Sequence, residues 1–311
     1  MNRRNFLSNA LLTSSATLVG LQEAHAKPVN EARTRVMRVA HLTDIHVSKN
    51  PIAEAGLAKA LKSVQSLSPK VDCIFNGGDA ILDALDNTKE GVKQQWDVFK
   101  GIVKNENALP MFSVIGNHDI WGWYHKASDI TKDRLYGKMW ALEMLNIPKR
   151  YYSFEKSGWK FIFLDSVQLN PAGGYVAFFD EKQIEWLKAE LAATPPNKPI
   201  CITSHIPILA ACAGLFMGRT EQNGDLTTKR DTMHTDFFKL KNIFKNHPNV
   251  QLCLSGHIHL QDEVKYLDVT YYCNGAVCGN WWKGAFQDFA PAYAVIDFYN
   301  DGSFERQFVN Y

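Results

Sequence analysis

The sequence predicts an α/β sandwich with antiparallel strands added late in the chain. Three observations point there. Apolar runs of strand length alternate with segments of helical periodicity. The end of the chain then reads as strands without intervening helices. Five of the strands run directly into Asp, Asn or His.

The strand candidates are residues 36–42, 71–75, 110–115, 159–164, 199–203 and 250–254, each short, apolar and rich in β-branched or aromatic side chains. Between them, residues 52–68 repeat Leu57, Leu61, Val64 and Leu67 at helical spacing. Residues 88–104 do the same with Val92, Trp96, Phe99 and Val103. Asp180 is placed to cap a helix, with Gln183 completing a capping box. Ile184, Leu187 and Leu191 line that helix until Pro195 and Pro196 stop it. Phe237, Leu240 and Phe244 mark a further helix, closed by Pro248. Residues 269–276, 292–299 and 303–311 close the chain as strands, the last two joined by the turn Asn300-Asp301-Gly302.

Composition narrows the classes. Of 311 residues, 46% are hydrophobic and 21% charged, enough to build a core and too apolar for a disordered chain. Lys plus Arg total 34 against 32 for Asp plus Glu, so no polybasic surface for a nucleic-acid polymer is expected. Beyond residue 26 there is no apolar run of about 18 residues, so no membrane span is expected in the mature chain. There is no internal repeat or low-complexity linker. One domain over residues 27–311 is the simplest organisation, with the aromatic-rich segment 120–149 read as an inserted cap or loop near the site. The number of subunits is not legible.

Residues 1–26 read as an address. Arg3 and Arg4 followed by Asn5-Phe6-Leu7 resemble a twin-arginine export signal, and Ala24-His25-Ala26 offers a small-x-small cleavage site. The expected location is periplasmic or secreted. An ordinary secretory signal or an uncleaved anchor is the plainer alternative. Cys73, Cys201 and Cys253 lie in apolar runs and read as small buried hydrophobes. Cys273 and Cys278 are near neighbours that an oxidising compartment would permit to bridge. No CxxC pair suggests a metal cluster of cysteines.

The chemistry sits at the strand ends, where ligands of open α/β sheets gather. The runs end in Thr43-Asp44-Ile45-His46, Gly77-Gly78-Asp79, Gly116-Asn117-His118-Asp119, Ser204-His205 and Gly256-His257-Ile258-His259. Asp44 and His46 are two apart, so an extended backbone would point both to one side, and His257 and His259 share that relation. Each motif alone is weak: Gly-Asp is usually a turn, and a lone His is more often structural than a ligand. Five in order, each directly after an apolar strand, differ in kind. Their oxygen and imidazole donors suit Mn, Fe or Zn better than a thiolate-bound structural zinc.

This ordered set resembles the calcineurin-like metallophosphoesterase superfamily, and its Asp-x-His opening resembles the cyclic-nucleotide phosphodiesterase-like branch. The resemblance spans about residues 37–260. It implies a four-layer αββα sandwich, two mixed sheets flanked by helices, and a site for two divalent metal ions. Carried over by position, Asp44, His46 and His259 would hold one metal. Asn117, His205 and His257 would hold the other, and Asp79 would bridge them. His118 would protonate or hydrogen-bond the leaving oxygen, with direct attack by metal-bound hydroxide. One departure stands out: Leu82 occupies a position where relatives often carry an acidic residue that orients this His, and Asp83 comes one later.

The expected substrate is a small-molecule phosphoester, a phosphodiester by the branch resemblance. A phosphomonoesterase is the alternative within the same chemistry, and a noncatalytic binding protein or a structural envelope protein the alternative outside it. Trp121, Trp123, Tyr124, Trp281 and Trp282 are candidates to stack on a substrate or, equally, to pack a cap. Arg219, in the polar loop after His205, reads as a solvated surface side chain more than a phosphate contact.

Overall fold

A computed structural model describes residues 32–125, 129–218 and 221–311. The segment read as an export signal and Arg219 lie outside the described residues. In chain order the elements are β1 (Arg35–Leu42), α1 (Pro51–Ser66), β2 (Cys73–Asn76), α2 (Lys89–Glu106), β3 (Met111–Ser113), α3 (Met139–Met144), β4 (Tyr152–Lys156), β5 (Trp159–Leu164), β6 (Val167–Leu169), β7 (Tyr175–Ala177), α4 (Glu181–Ala193), β8 (Ile200–Ser204), α5 (Phe237–Lys245), β9 (Val250–Ser255), β10 (Gln261–Tyr266), β11 (Val269–Asn274), β12 (Tyr293–Tyr299) and β13 (Phe304–Val309). One sheet has the order β13-β12-β1-β2-β3, a second the order β10-β11-β9-β8-β5-β4, and β6 and β7 form a small ribbon.

Side-chain alternation along the strands makes the layers. In β1, Met37 and Val39 face a core shared with Trp159, Phe161 and Phe163 of β5, whereas Ala40 and Leu42 face Leu57, Leu61 and Trp96 of α1 and α2. In β5, Ile162 and Leu164 face Ile184, Leu187 and Leu240 of α4 and α5. The two sheets therefore pack face to face with helices outside each, giving the four-layer sandwich. Aromatic edges key the central layer: Phe75 meets Phe163 at 4.9 Å and Phe161 meets Phe298 at 5.2 Å, both T-shaped.

The helices start where expected. Asn50 caps α1, accepting from Ile52 N at 2.9 Å, with Pro51 in the first turn. Asp180 caps α4, accepting from Gln183 N at 3.1 Å. The predicted capping box is only half formed. The Gln183 amide instead makes two bonds to the backbone of Asp165, at 2.8 and 2.9 Å, because that buried peptide group has greater need of a partner.

Other expectations are corrected. The third strand from the end, β11, pairs parallel with β9 as well as antiparallel with β10. The strand β10 itself was not anticipated, since QDEVKY is a polar, largely exposed edge without apolar alternation. All six cysteines are free, so Cys273 and Cys278 are not bridged. Their thiols point to different carbonyls, Gly256 O at 3.3 Å and Gly279 O at 3.5 Å. Segment 120–149 contributes Ile120, Trp121, Leu135 and Trp140 to the core beside α1 and α2, with Trp121 edge-on to Trp140 at 5.4 Å.

Asp165 anchors the junction beneath this segment. It is fully buried, with Lys138 at 2.5 Å and Arg150 at 2.7 Å, and Arg150 continues to Asp180 at 2.7 Å. Asp165→Ala is expected to cost ~3–5 kcal/mol in urea unfolding, because it leaves Lys138 buried without its carboxylate. Arg150→Ala is expected to cost about 1 kcal/mol, since its side chain is partly exposed and Asp165 keeps Lys138 as a partner.

Candidate metal centre

Every predicted donor comes from a loop at the carboxyl end of a strand. Asp44 and His46 follow β1, Asp79 follows β2, Asn117 follows β3, His205 follows β8, and His257 and His259 follow β9. All seven are buried. Three of these loops come from one sheet and two from the other, so the site straddles the sandwich.

The backbone that delivers them is unusual. Asp44, His46, Asp79, His257 and His259 have φ of 54°, 47°, 55°, 70° and 61°. The extended segments expected for Asp44-x-His46 and His257-x-His259 are thus corrected to left-handed turns, which cost about 1–2 kcal/mol per non-glycine residue. Hydrogen bonds hold these turns. Asp44 N donates to Gly78 O at 3.1 Å, and Ile45 N and His46 N both donate to Asp79 O at 2.9 Å. His257 N donates to Asp44 Oδ2 at 2.8 Å, and Thr43 Oγ1 donates to the same oxygen at 2.7 Å. Glycine is required where these loops touch: a Cβ on Gly256 would lie 1.9 Å from Thr43 Oγ1 and 2.2 Å from Asp44 Oδ2, and one on Gly116 would lie 2.1 Å from Asp79 N.

The inward atoms form two groups joined by one oxygen. Asp79 Oδ2 is 3.5 Å from His46 Nε2 and 3.2 Å from His205 Nε2. On one side, His259 Nε2 is 3.2 Å from His46 Nε2 and 3.5 Å from Asp44 Oδ1. On the other, His205 Nε2 is 3.0 Å from Asn117 Oδ1 and 3.2 Å from His257 Nδ1. The structure therefore brings all seven predicted donors together, in two groups that meet at Asp79.

The outward nitrogens decide what the inward ones offer. His46 Nδ1 faces Leu82 O at 3.4 Å, His205 Nδ1 faces Gly77 O at 2.8 Å, His257 Nε2 faces Asp231 O at 2.8 Å and His259 Nδ1 faces Gly279 O at 2.7 Å. A carbonyl only accepts, so each outward nitrogen carries the proton, and a neutral ring turns its lone pair inward. Two such lone pairs 3.2 Å apart repel each other unless a proton or a cation lies between them. The donor set therefore fits cations on both sides of Asp79.

Charge follows from the same crowding. Burial alone would lower His205, but the Asp79 carboxylate lifts it to about 9. Burial would raise Asp79, yet His205, His118 and His46 hold it well below the usual carboxylate range. Burial pushes His46 and His257 down to about 3, so these rings stay neutral at ordinary pH.

His118 stands apart. Its ring is partly exposed, meets His46 edge-on at 4.8 Å, and has Nδ1 3.3 Å from Asp83 Oδ1. Asp83 thus supplies the carboxylate that Leu82 lacks, while Leu82 serves through its carbonyl. Burial lowers the His118 pKa, but Asp79 and Asp83 outweigh it, and the net shift is upward.

A cavity of about 190 Å³ opens over these atoms, walled by Tyr175, Phe216, Met217, Asp231, Thr232 and Trp281. Of the aromatics singled out in the sequence, Trp281 lines it and stacks on His259 at 4.6 Å. Trp282 instead buttresses the site, donating from Nε1 to His46 O at 3.1 Å. Trp121 belongs to the core, and none of the described residues of 120–149 lines the cavity. Sequence reasoning missed Asp119, whose buried carboxylate accepts from Asp79 N at 2.9 Å, Gly116 N at 2.8 Å and Ala80 N at 2.8 Å, tying the loop after β2 to that after β3. Its place in Gly-Asn-His-Asp was the available signal. The wall residues Tyr175, Asp231 and Thr232 carry no motif and could not have been found that way.

A two-sheet sandwich with an imidazole and carboxylate cavity at its strand ends defines the class. Residues 37–261 match the family described as Calcineurin-like phosphoesterase, and the chain belongs to it. It is similar to a 3′,5′-cyclic-nucleotide phosphodiesterase of Nostoc sp., 23% identical over 277 residues that cover 85% of this chain and 89% of that protein. In fold it is similar to a dimetal phosphatase from Danio rerio, with a TM-score of 0.60 at 13% identity over 89% of this chain and 100% of that one. It is also similar to GAP50, the anchor in the inner membrane complex of Plasmodium, with a TM-score of 0.53 at 20% identity over 89% of this chain and 85% of that one. No described helix is long and apolar enough to cross a membrane.

A titration tests the charge arrangement. His205 is raised from 6.5 to about 9, so in chelated protein its stabilisation is complete below pH 6.5 and is lost as pH rises through about 9. Between those values the urea midpoint of chelated wild type is expected to fall more steeply than that of His205→Gln. Parallel slopes would contradict the assignment.

Proposed function

We propose that the protein is a phosphodiesterase that uses two divalent metal ions. The observation that carries this is Asp79 Oδ2, shared at 3.5 and 3.2 Å by two groups of inward nitrogens. Asp44, His46 and His259 would hold one ion, Asn117, His205 and His257 the other, and Asp79 both. Two bound cations supply an activated water and neutralise phosphate charge. Their identity, Mn, Fe or Zn, is left open by oxygen and imidazole donors alone.

The chain's own residues supply the rest. Asn117 contributes a neutral oxygen, which limits the negative charge that an anionic phosphoester meets. His118, with Nδ1 3.3 Å from Asp83 Oδ1, is held to present a proton to the departing oxygen, and the carboxylates of Asp79 and Asp83 shift its pKa upward against burial. The hydrophobic wall of Phe216, Met217 and Trp281 limits water at the reacting phosphate.

A diester is favoured over a monoester for two reasons. The Nostoc relative is named for a diester. Beside the main cavity a second hollow, of about 280 Å³, shares Tyr175 and Asp231 with it and is bordered by Tyr124, Asn170, Lys229 and Arg230. A phosphodiester has two arms, and this gives the second one a place. The fold likeness to an anchor protein is the observation behind a noncatalytic reading, but the full donor set favours the enzyme. Export to the periplasm or beyond belongs to the same proposal, supported by the Arg3-Arg4 segment and the small-x-small site at Ala24–Ala26.

Two experiments follow. With metal added, bis-p-nitrophenyl phosphate is expected to be turned over with a higher kcat/KM than p-nitrophenyl phosphate, and Asp79→Asn is expected to lose ~10³-fold or more on both. A strong monoester preference would overturn the diester reading, and unchanged turnover in Asp79→Asn would overturn the site. His118→Asn is expected to lower kcat by ~10²-fold on a dialkyl phosphodiester, whose departing alcohol needs a proton, and by less on bis-p-nitrophenyl phosphate, because p-nitrophenolate needs none. Equal losses would remove His118 from that role.

A further inference from the structure

We infer that Cys212 and Cys273 form a disulfide under oxidising conditions, fastening the wall of the cavity to the sheet beneath it. The two residues are 61 positions apart, and independent contacts bring them together. Cys212 lies in the short turn Ala211–Gly214, and its N–H donates to Asp262 Oδ2 at 2.9 Å. Asp262, on β10, stands directly opposite Cys273 on β11. The two thiols are therefore neighbours close enough to influence one another. Both are buried in one small apolar cluster with Ile258 and Leu260.

The other thiols have no such partner among the described contacts that would compete for this pairing. Cys278 donates to Gly279 O, and Cys73 lies in the first sheet. Cys201 and Cys253 sit on neighbouring strands β8 and β9, but they face opposite cores. Side chains on opposite faces of a sheet cannot be joined.

The placement gives the bond a consequence. The turn holding Cys212 leads into Phe216 and Met217, which wall the cavity. Cys273 Sγ donates to Gly256 O at 3.3 Å, one residue before His257. A Cys212–Cys273 bond would thus tie the wall to the strand that abuts the His257 loop. With oxidised glutathione as oxidant, one cysteine sulfur displaces a glutathione thiolate to give a mixed disulfide. The second cysteine then displaces the other glutathione. The protein loses two protons and two electrons, and one oxidised glutathione becomes two reduced ones. The neighbouring Cys273 thiol and burial raise the Cys212 pKa, so exchange in the folded state is slow and folding is the point of entry.

The full chain, unfolded and reduced, is to be refolded in a mixture of oxidised and reduced glutathione. It is then alkylated in denaturant and peptide-mapped. The expected result is a mass lower by two hydrogens, a cross-linked peptide pair containing Cys212 and Cys273, and label on the other four cysteines. The oxidised form is expected to melt ~5 °C above the reduced form, a difference absent in Cys212→Ser and in Cys273→Ser. Six labelled thiols in refolded wild type, or a cross-link joining any other pair, would overturn the inference. The wild-type map carries the test even if a variant fails to fold.

Discussion

One buried carboxylate oxygen, held between two imidazoles that reach it from opposite sheets, is the constraint around which this molecule is arranged. Asp79 Oδ2 has His46 of the first sheet on one side and His205 of the second on the other. To put it there the chain accepts a left-handed backbone at Asp44, His46, Asp79, His257 and His259. That strain is compatible with a stable fold only because surrounding contacts over-determine it. The loop after β1 is bonded to the loop after β2, the Asp119 carboxylate ties the loop after β2 to that after β3, and His257 N is bonded to Asp44. The sandwich beneath, keyed by Phe75, Phe161, Phe163 and Phe298, fixes the distance between the two sheets and so between the two groups of donors.

Imidazole rings turned with one nitrogen inward are the second consequence. Four backbone carbonyls, those of Gly77, Leu82, Asp231 and Gly279, set the ring orientations. Two of them belong to glycines, where no side chain would interfere. Asp231 and Leu82 show that a residue of no evident chemical interest can act through its backbone. At Leu82 this also explains how a departure from the usual pattern is accommodated. The carbonyl steadies His46 while the next residue, Asp83, takes His118.

Much of this was legible in the sequence, for physical reasons. Strands buried on both faces read as apolar runs, and β1, β5, β8 and β9 have that character. Donors at the ends of such runs could be grouped through the family resemblance that their order along the chain carries. Edge strands resist such reading. In β10 and β4 only one side is shielded, so polar residues intervene and the pattern dissolves. The left-handed turns were hidden because Asp and His, although enriched among non-glycine residues at positive φ, adopt it in only a minority of cases, so their presence does not mark such a turn. Trp121 was not separable from Trp281 by sequence, since a large aromatic serves a core or a cavity wall equally well. The parallel pairing of β11 with β9 is a long-range choice that no local spacing encodes.

Two cations sharing Asp79 are the centre of the proposed chemistry. Titrating chelated protein with Mn²⁺ and recording electron paramagnetic resonance tests that directly. Saturation at two ions per chain, with the broad signal of a spin-coupled pair, is the result predicted. Saturation at one ion, or a six-line spectrum of isolated ions at saturation, would contradict it.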